Sequence, residues 1–314
     1  MREKLILGID IGGTGIEYGL VDTDGKLHYE NELTTTDFPS AESLCQSIYN
    51  DETIGSQLSQ IKGIGIGAPN GNYYHGTIEF APNLPWKGII PLREIFEKLF
   101  CKVTIVTNDA NAAALGEKIF GVAKHLDDFV TITLGTGVGS GVISSGQLIY
   151  GHDGFAGEFG HIRVIPDGRL CGCGRKGCLE TYASSTGVVR SISELPSKNK
   201  SASVLTKLYK PTAKDVFDLS YTGDLFAMEI VDFTARILGN ALADFACFSS
   251  PKAFVLFGGI AQSKCNFTQQ VEKHMNNNLL VIYTNKIKVL RSSLHDDNAA
   301  VLGAASLLIR EISK

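Results

Sequence analysis

A long hydrophobic run is the first thing this sequence lacks. The apolar stretch 5–9 is cut by Asp10, and the stretches 253–261 and 301–309 are each about half of what a membrane-spanning helix needs. Arg2 and Lys4 ahead of so short a run do not make a secretory leader, so a soluble, cytoplasmic protein is expected. Charge of one sign is also missing. Lys and Arg number 29 against 33 Asp and Glu, a net charge of −4, which excludes generic attraction to nucleic acid or an anionic membrane. The P-loop pattern Gly-x-x-x-x-Gly-Lys-Ser/Thr does not occur. Gly63-x-Gly65-x-x-Ala68 matches a dinucleotide fingerprint, but Pro69-Asn70-Gly71 follows where a helix would have to open, so NAD is discounted. An even cysteine count is absent too. Three of the seven crowd together at Cys171, Cys173 and Cys178, which suits reduced thiols and a metal better than a disulfide scaffold.

What is present is 314 residues of ordinary globular composition, enough for two domains at about 150 residues each. Three β-branched runs end abruptly in Gly and Thr: Leu5-Ile-Leu-Gly-Ile-Asp-Ile-Gly-Gly-Thr14, Val130-Thr-Ile-Thr-Leu-Gly-Thr-Gly137 and Phe254-Val-Leu-Phe-Gly-Gly259. After the first two, apolar alternation resumes, meets Asp24-Gly25 or Ser145-Gly146, and resumes again. Gly12 to Gly135 is 123 residues and Gly25 to Gly146 is 121, so the two hairpin units read as an internal duplication. Between them the pattern predicts a strand at 61–68, a helix over about 91–100, a strand at 103–107 and a helix over 110–120. Asp109 then sits at a strand-to-helix turn, where ligands collect in α/β sheets. A solvated connection with one short helix is expected over 193–214, followed by a helix over 225–248, a strand at 253–257 and a last helix over about 297–312. The expected division is a smaller lobe from 1–108 plus about 297–314, and a larger lobe from 109–296 with a zinc-binding segment at 161–178.

Asp10-Ile-Gly-Gly-Thr14 and Gly135-Thr-Gly-Val-Gly139 put bare backbone amides and a hydroxyl at strand ends, as a phosphate chain requires. A single such loop could be no more than a tight hairpin; two copies, one with acidic Asp10, favour a nucleotide cleft. His161, Cys171, Cys173 and Cys178 are separated by 10, 2 and 5 residues in a glycine-rich stretch. One imidazole and three thiolates close a tetrahedral set with no open position, which predicts structural zinc. Asp109, Glu158 and Glu180 stand among small or apolar neighbours and could accept from sugar hydroxyls, and an Asp near an attacking hydroxyl could take its proton. Singly, each could equally be a helix cap or a surface charge. Asn83, between Pro82 and Pro85, could be plain turn chemistry.

Asp10-Ile-Gly-Gly-Thr, Asn108-Asp109, Gly-Thr-Gly-Val-Gly, Glu158-Phe-Gly-His161, Cys171-Gly-Cys-Gly-Arg-Lys-Gly-Cys-Leu-Glu180 and Phe257-Gly-Gly together resemble, in order, the ROK family of repressors and sugar kinases. The resemblance implies an actin-like, hexokinase-like ATPase fold of two ribonuclease-H-type lobes, and transfer of the ATP γ-phosphate to a hexose 6-hydroxyl with Mg²⁺. It implies Asp109 as the catalytic base. Asn83, Asn108, Glu158, His161 and Glu180 would hold sugar hydroxyls, with His161 serving zinc as well. The nucleotide would lie on Asp10, Gly12, Gly13, Thr14, Gly135, Thr136, Gly137, Gly139, Gly258 and Gly259, with Asp10 anchoring Mg²⁺. Many family kinases carry Lys after Gly-Gly-Thr, whereas Gly15 and Glu17 stand here, closer to polyphosphate-using glucokinases. Those relatives lack the cysteine cluster, so ATP is kept as donor. Only nine residues precede Asp10, which disfavours a repressor with a helix-turn-helix ahead of its first glycine loop. The expectation is a homo-oligomeric glucokinase-like enzyme whose cleft closes on sugar, with N-acetylhexosamine or fructose kinase, or a non-catalytic sugar sensor, as alternatives.

Overall fold

The computed structural model describes residues 4–294 and 299–312. It begins with β1 (Leu5–Ile11), β2 (Gly15–Asp22), β3 (Leu27–Thr34), α1 (Ala41–Tyr49), α2 (Glu52–Gln57) and β4 (Ile61–Gly67). Short strands β5 (Gly71–Asn72), β6 (Thr77–Glu79) and β7 (Ile89–Ile90) follow, then α3 (Leu92–Phe100), β8 (Thr104–Thr107) and α4 (Asp109–Ile119). The second hairpin unit is β9 (Phe129–Leu134), β10 (Val138–Ser144) and β11 (Gln147–Leu148). After it come α5 (Glu180–Ala183), α6 (Ser185–Glu194), α7 (Ala213–Tyr221), α8 (Leu225–Ser249), β12 (Ala253–Phe257), α9 (Phe267–Asn276), β13 (Lys288–Arg291) and α10 (Ala299–Ile312).

The two large sheets share one topology. Their orders are β3-β2-β1-β4-β8 and β11-β10-β9-β12-β13, an antiparallel three-strand meander followed by two parallel strands in each. In the second meander Ser145 and Gly146 have φ of 50° and 72°, the two positive values that a type I′ hairpin demands. Gly25 closes the first with φ of 86°, and a side chain there would strike the Phe120 ring.

The chain forms two compact units, residues 1–125, 148–156 and 293–314, and residues 126–147 and 157–292. The boundary expected at 108/109 therefore lies after His125, because α4 packs on β4 and α10 and stays with the first sheet. Residues 148–156 also belong to the first unit: Tyr150 stacks on Tyr73 at 4.0 Å, and Asn72 donates to the Asp153 carbonyl at 2.8 Å. Asp297, the expected start of the last helix, lies outside the described residues.

Each unit has its own core. In the first, Leu7, Ile9, Ile64 and Ile66 pack with Leu44, Ile48, Phe96 and Phe100 from α1 and α3. The opposite face of that sheet presents Gly8 and Gly65 to the backbone of α10. In the second, α8 buries Phe226, Ile230, Leu238, Leu242 and Phe245 with Ile132 and Phe254 of the sheet. Each fully buried side chain of this size contributes about 1.5–3 kcal/mol. Helices α1, α2, α5, α6 and α9 have no counterpart in the sequence prediction. The stretch expected as a connection with one short helix holds two 3₁₀ turns, at Lys200–Ala202 and Val204–Lys207, before α7 begins.

Candidate functional site

In the first unit the strand register assembles the carboxylates. Asp10, one residue before the end of β1, lies opposite Gly67 of β4, and Gly67 is opposite Thr107 of β8, so three strand ends lie side by side. Asp109 follows two residues after Thr107, in the first turn of α4. Gly67 is what lets both acids fit: a Cβ there would come within 2.8 Å of Asp10 Oδ1 and 3.6 Å of the Asp109 Cα. Asp109 Oδ1 accepts from the Ala110 amide at 2.7 Å, and Asn108 Oδ1 accepts from the same amide at 2.9 Å as the N-cap of α4.

Both carboxyls are harder to ionise than an ordinary Asp. For Asp10 the cause is loss of water, with the charges of Asp109 and Glu17 adding to it. Asp109 has an exposed edge, yet protein crowds it closely enough that desolvation raises its pKa, partly offset by the Ala110 amide. A carboxylate that reaches solvent and holds its proton more tightly than usual is suited to exchange one with a substrate hydroxyl.

The first glycine turn closes through the Gly12 amide on the Gly15 carbonyl at 2.8 Å. Gly13 lies against Asn83, which is exposed: a Cβ on Gly13 would sit 3.0 Å from the Asn83 carbonyl oxygen. Thr14 is exposed as well. Within this unit, therefore, Asp10, Gly12, Gly13, Thr14, Asn83, Asn108 and Asp109 occupy the strand-end edge of one sheet and the loops beside it. Thr35 was not foreseen. It is fully buried, donates its hydroxyl to the Gly12 carbonyl at 2.7 Å and its amide to the Thr14 carbonyl at 3.1 Å, and so clamps this loop. Its position in a Thr-rich run after β3 carries no periodic signal.

In the second unit the 135–139 loop joins β9 to β10, with the Gly135 amide on the Gly137 carbonyl at 3.1 Å and the Gly139 amide on the Thr133 hydroxyl at 3.1 Å. Gly258, at the end of the neighbouring β12, has φ of 100° and packs on the Leu134 carbonyl, which brings the turn at Gly258 and Gly259 beside that loop. The carboxylate of Glu180, the first residue of α5, accepts from the Val138 amide at 3.1 Å through Oε2. Its Oε1 accepts from Cys171 Sγ at 3.5 Å.

His161 faces two ways. Nδ1 is 3.7 Å from Cys171 Sγ, and Nε2 is 4.0 Å from the Glu158 carboxylate. Cys173 and Cys178 have their sulfurs 3.7 Å apart, and the four donor atoms of His161, Cys171, Cys173 and Cys178 all lie within 4.8 Å of one another. Zinc–sulfur bonds of about 2.3 Å in a tetrahedron put ligand atoms about 3.8 Å apart, so the donor set fits zinc in both chemistry and spacing. Burial raises the Cys171 thiol to about 12. Burial also opposes ionisation of Cys173, but the Arg175 amide and side chain and the two neighbouring thiols outweigh it and bring that thiol down to about 6. The 160–180 stretch has little regular structure; its bridges Arg163↔Cys178 and Leu170↔Lys176 fold it back around the cysteines.

The ROK family model matches residues 6–311. A glucokinase of Thermotoga maritima is 33% identical over 99% of both chains. A Bacillus subtilis xylose repressor is 30% identical over 96% of this chain and 76% of its own length. Among solved structures, a ROK family glucokinase from Streptomyces griseus in complex with glucose and AMPPNP superposes with a TM-score of 0.81 at 35% identity, covering 96% of this chain and 98% of that one. The paired sheets are thus those of the hexokinase-like ATPase fold, and this chain belongs to the ROK family.

Proposed function

We propose that this protein is an ATP-dependent hexose kinase acting on the 6-hydroxyl, with glucose as the first substrate to test. The observation that carries this reading is Asp109, a solvent-reaching carboxylate of raised pKa beside Asp10 at aligned strand ends. The glucokinases of Thermotoga maritima and Streptomyces griseus support it.

Asp109 takes the proton of the attacking hydroxyl, whose oxygen bonds the γ-phosphorus in line as the bond from that phosphorus to the β–γ bridging oxygen breaks and ADP leaves. The Ala110 amide in the first turn of α4 holds the Asp109 carboxylate in one orientation. Asn83, Asn108, Glu158, His161 and Glu180 orient the hexose through its other hydroxyls. The 10–14 and 135–139 loops and the turn at Gly258 and Gly259 offer amides to the phosphates, while Asp10 would anchor a Mg²⁺ ion that would neutralise phosphate charge. His161, Cys171, Cys173 and Cys178 would hold one structural zinc, which supplies folding free energy. With Nδ1 toward the thiols, His161 keeps Nε2 for the sugar side, so one ring can serve both roles. A homo-oligomer working in the cytoplasm is part of the same proposal, and the free thiols of all seven cysteines suit that compartment.

Turnover over glucose, N-acetylglucosamine, N-acetylmannosamine and fructose, with ATP and with polyphosphate, tests the reading. Phosphorylation of glucose with ATP at the highest kcat/KM supports it. Preference for an N-acetylhexosamine would align the chain with its Escherichia fergusonii relative, an N-acetylmannosamine kinase at 29% identity. Hexose binding without turnover would make it a sensor.

A further inference from the structure

Helices α5 and α6 meet at a sharp corner, and the corner's hydrogen bonds run to the glycine loop. Ser184 is extended, with φ of −77° and ψ of 168°, so the helix breaks there. The Ser185 amide, which a continuous helix would aim at the Thr181 carbonyl, donates instead to Gly135 at 2.9 Å. The Thr186 hydroxyl donates to the Thr136 carbonyl at 3.0 Å, and Glu180 on the other arm accepts from Val138. One corner therefore holds residues 135, 136 and 138 through three separate side-chain or backbone groups.

Breaking the helix leaves the half-buried Thr181 without a helical donor to its carbonyl, and a carbonyl so stranded is costly where water does not reach it. Arg169 supplies the donor. Its guanidinium gives Nη1 to Thr181 at 2.7 Å and to Gly187 at 3.0 Å, Nη2 to the Ser191 hydroxyl at 3.0 Å and Nε to Glu194 at 2.7 Å. It lies over the Tyr182 ring at 4.6 Å and is 7% exposed. A planar fork is needed here, because a Lys ammonium could not reach both carbonyls and the hydroxyl together.

We infer that Thr186 and Arg169 are positioning residues for the nucleotide. Thr186 fixes the 135–139 loop directly, and Arg169 secures the corner on which Thr186 and Glu180 stand. The inference rests on the assignment of that loop to the ATP phosphates under the proposed function. It adds that the loop's shape is set by the α5–α6 corner and not by its glycines alone.

The test is Thr186→Val, which keeps side-chain shape and removes the hydroxyl, with Thr186→Ser as the conservative restoration. Binding of AMPPNP to the purified full chain is measured by calorimetry, followed by KM for ATP and for glucose. One neutral hydrogen bond lost predicts about a fivefold weaker AMPPNP Kd and a matching rise in KM for ATP. KM for glucose and the thermal midpoint should stay near wild type, and Thr186→Ser should return both nucleotide constants. Arg169→Lys should weaken AMPPNP and glucose alike, since Glu180 shares the corner. A Thr186→Val protein that binds AMPPNP as wild type does would overturn the positioning role while leaving the kinase reading intact. A wild-type protein that binds no AMPPNP would overturn the ATP reading and the inference with it. A lower midpoint with unchanged nucleotide constants would reduce the corner to a structural feature.

Discussion

Asp109 and Asp10 are costly to the fold in their ionised form, the form that the proposed chemistry requires. Each holds its proton more tightly in the native state than in the unfolded chain, chiefly because of desolvation. Stability therefore falls as pH rises from the ordinary Asp value through the raised native one, and the deficit persists at neutral pH. Asp109→Asn removes that deficit and keeps an oxygen to accept from the Ala110 amide. The variant should melt slightly above wild type, by scanning calorimetry, while kcat falls about 10²–10⁴-fold with hexose affinity nearly kept. In the wild type the same raised pKa should move the acid limb of kcat/KM above the ordinary carboxylate range, since the proposed base acts in its ionised form. A variant with near-normal kcat would take the base role away from Asp109.

At the level of elements, the first sheet admits its C-terminal helix only where side chains are absent. A Cβ on Gly65 of β4 would lie 1.9 Å from the Ala304 carbonyl oxygen, and one on Gly8 of β1 would lie 2.3 Å from that of Val301. Both contacts are with the backbone of α10, which cannot rotate away as a side-chain tip could. Gly65→Ala should cost about 3 kcal/mol, the upper end for an overpacked core, seen as a lower urea midpoint with unchanged m-value. A change under about 0.5 kcal/mol would mean that α10 shifts freely over the sheet. The glycines were legible as ends of β-branched runs, but Gly8 and Gly65 lie inside strands, and only the helix laid over them gives the reason.

For the molecule as a whole, two hydrophobic cores go with two compact units, and the cysteine cluster belongs to the second. Metal held there should stabilise the second unit by more than the first. Zinc extraction with a strong chelator should bring a lower-temperature transition out of the calorimetric trace, with the remaining transition near its original position. Metal analysis of the starting protein should give one zinc per chain. An unchanged trace after verified zinc removal would leave the metal without a folding role, and a protein purified free of zinc would leave the cysteine spacing unexplained.

The sequence by itself determined the duplication, the strand-end glycine turns, the placement of Asp109 where β8 gives way to α4, and the grouping of His161, Cys171, Cys173 and Cys178. These are local: each is carried by a few consecutive residues or a short spacing whose chemistry has one economical use. The tertiary structure decided what depends on which element lies over which. It kept α4 with the first unit by packing it on α10, placed Asp10 beside Asp109 through the β1-β4-β8 register, and closed the 10–14 loop with the distant Thr35. It also gave Arg169 its four acceptors at Thr181, Gly187, Ser191 and Glu194, a set that forms only because the chain breaks at Ser184. Such pairings join residues far apart in the chain through shape and orphaned hydrogen-bonding groups, and no local pattern in the sequence records either.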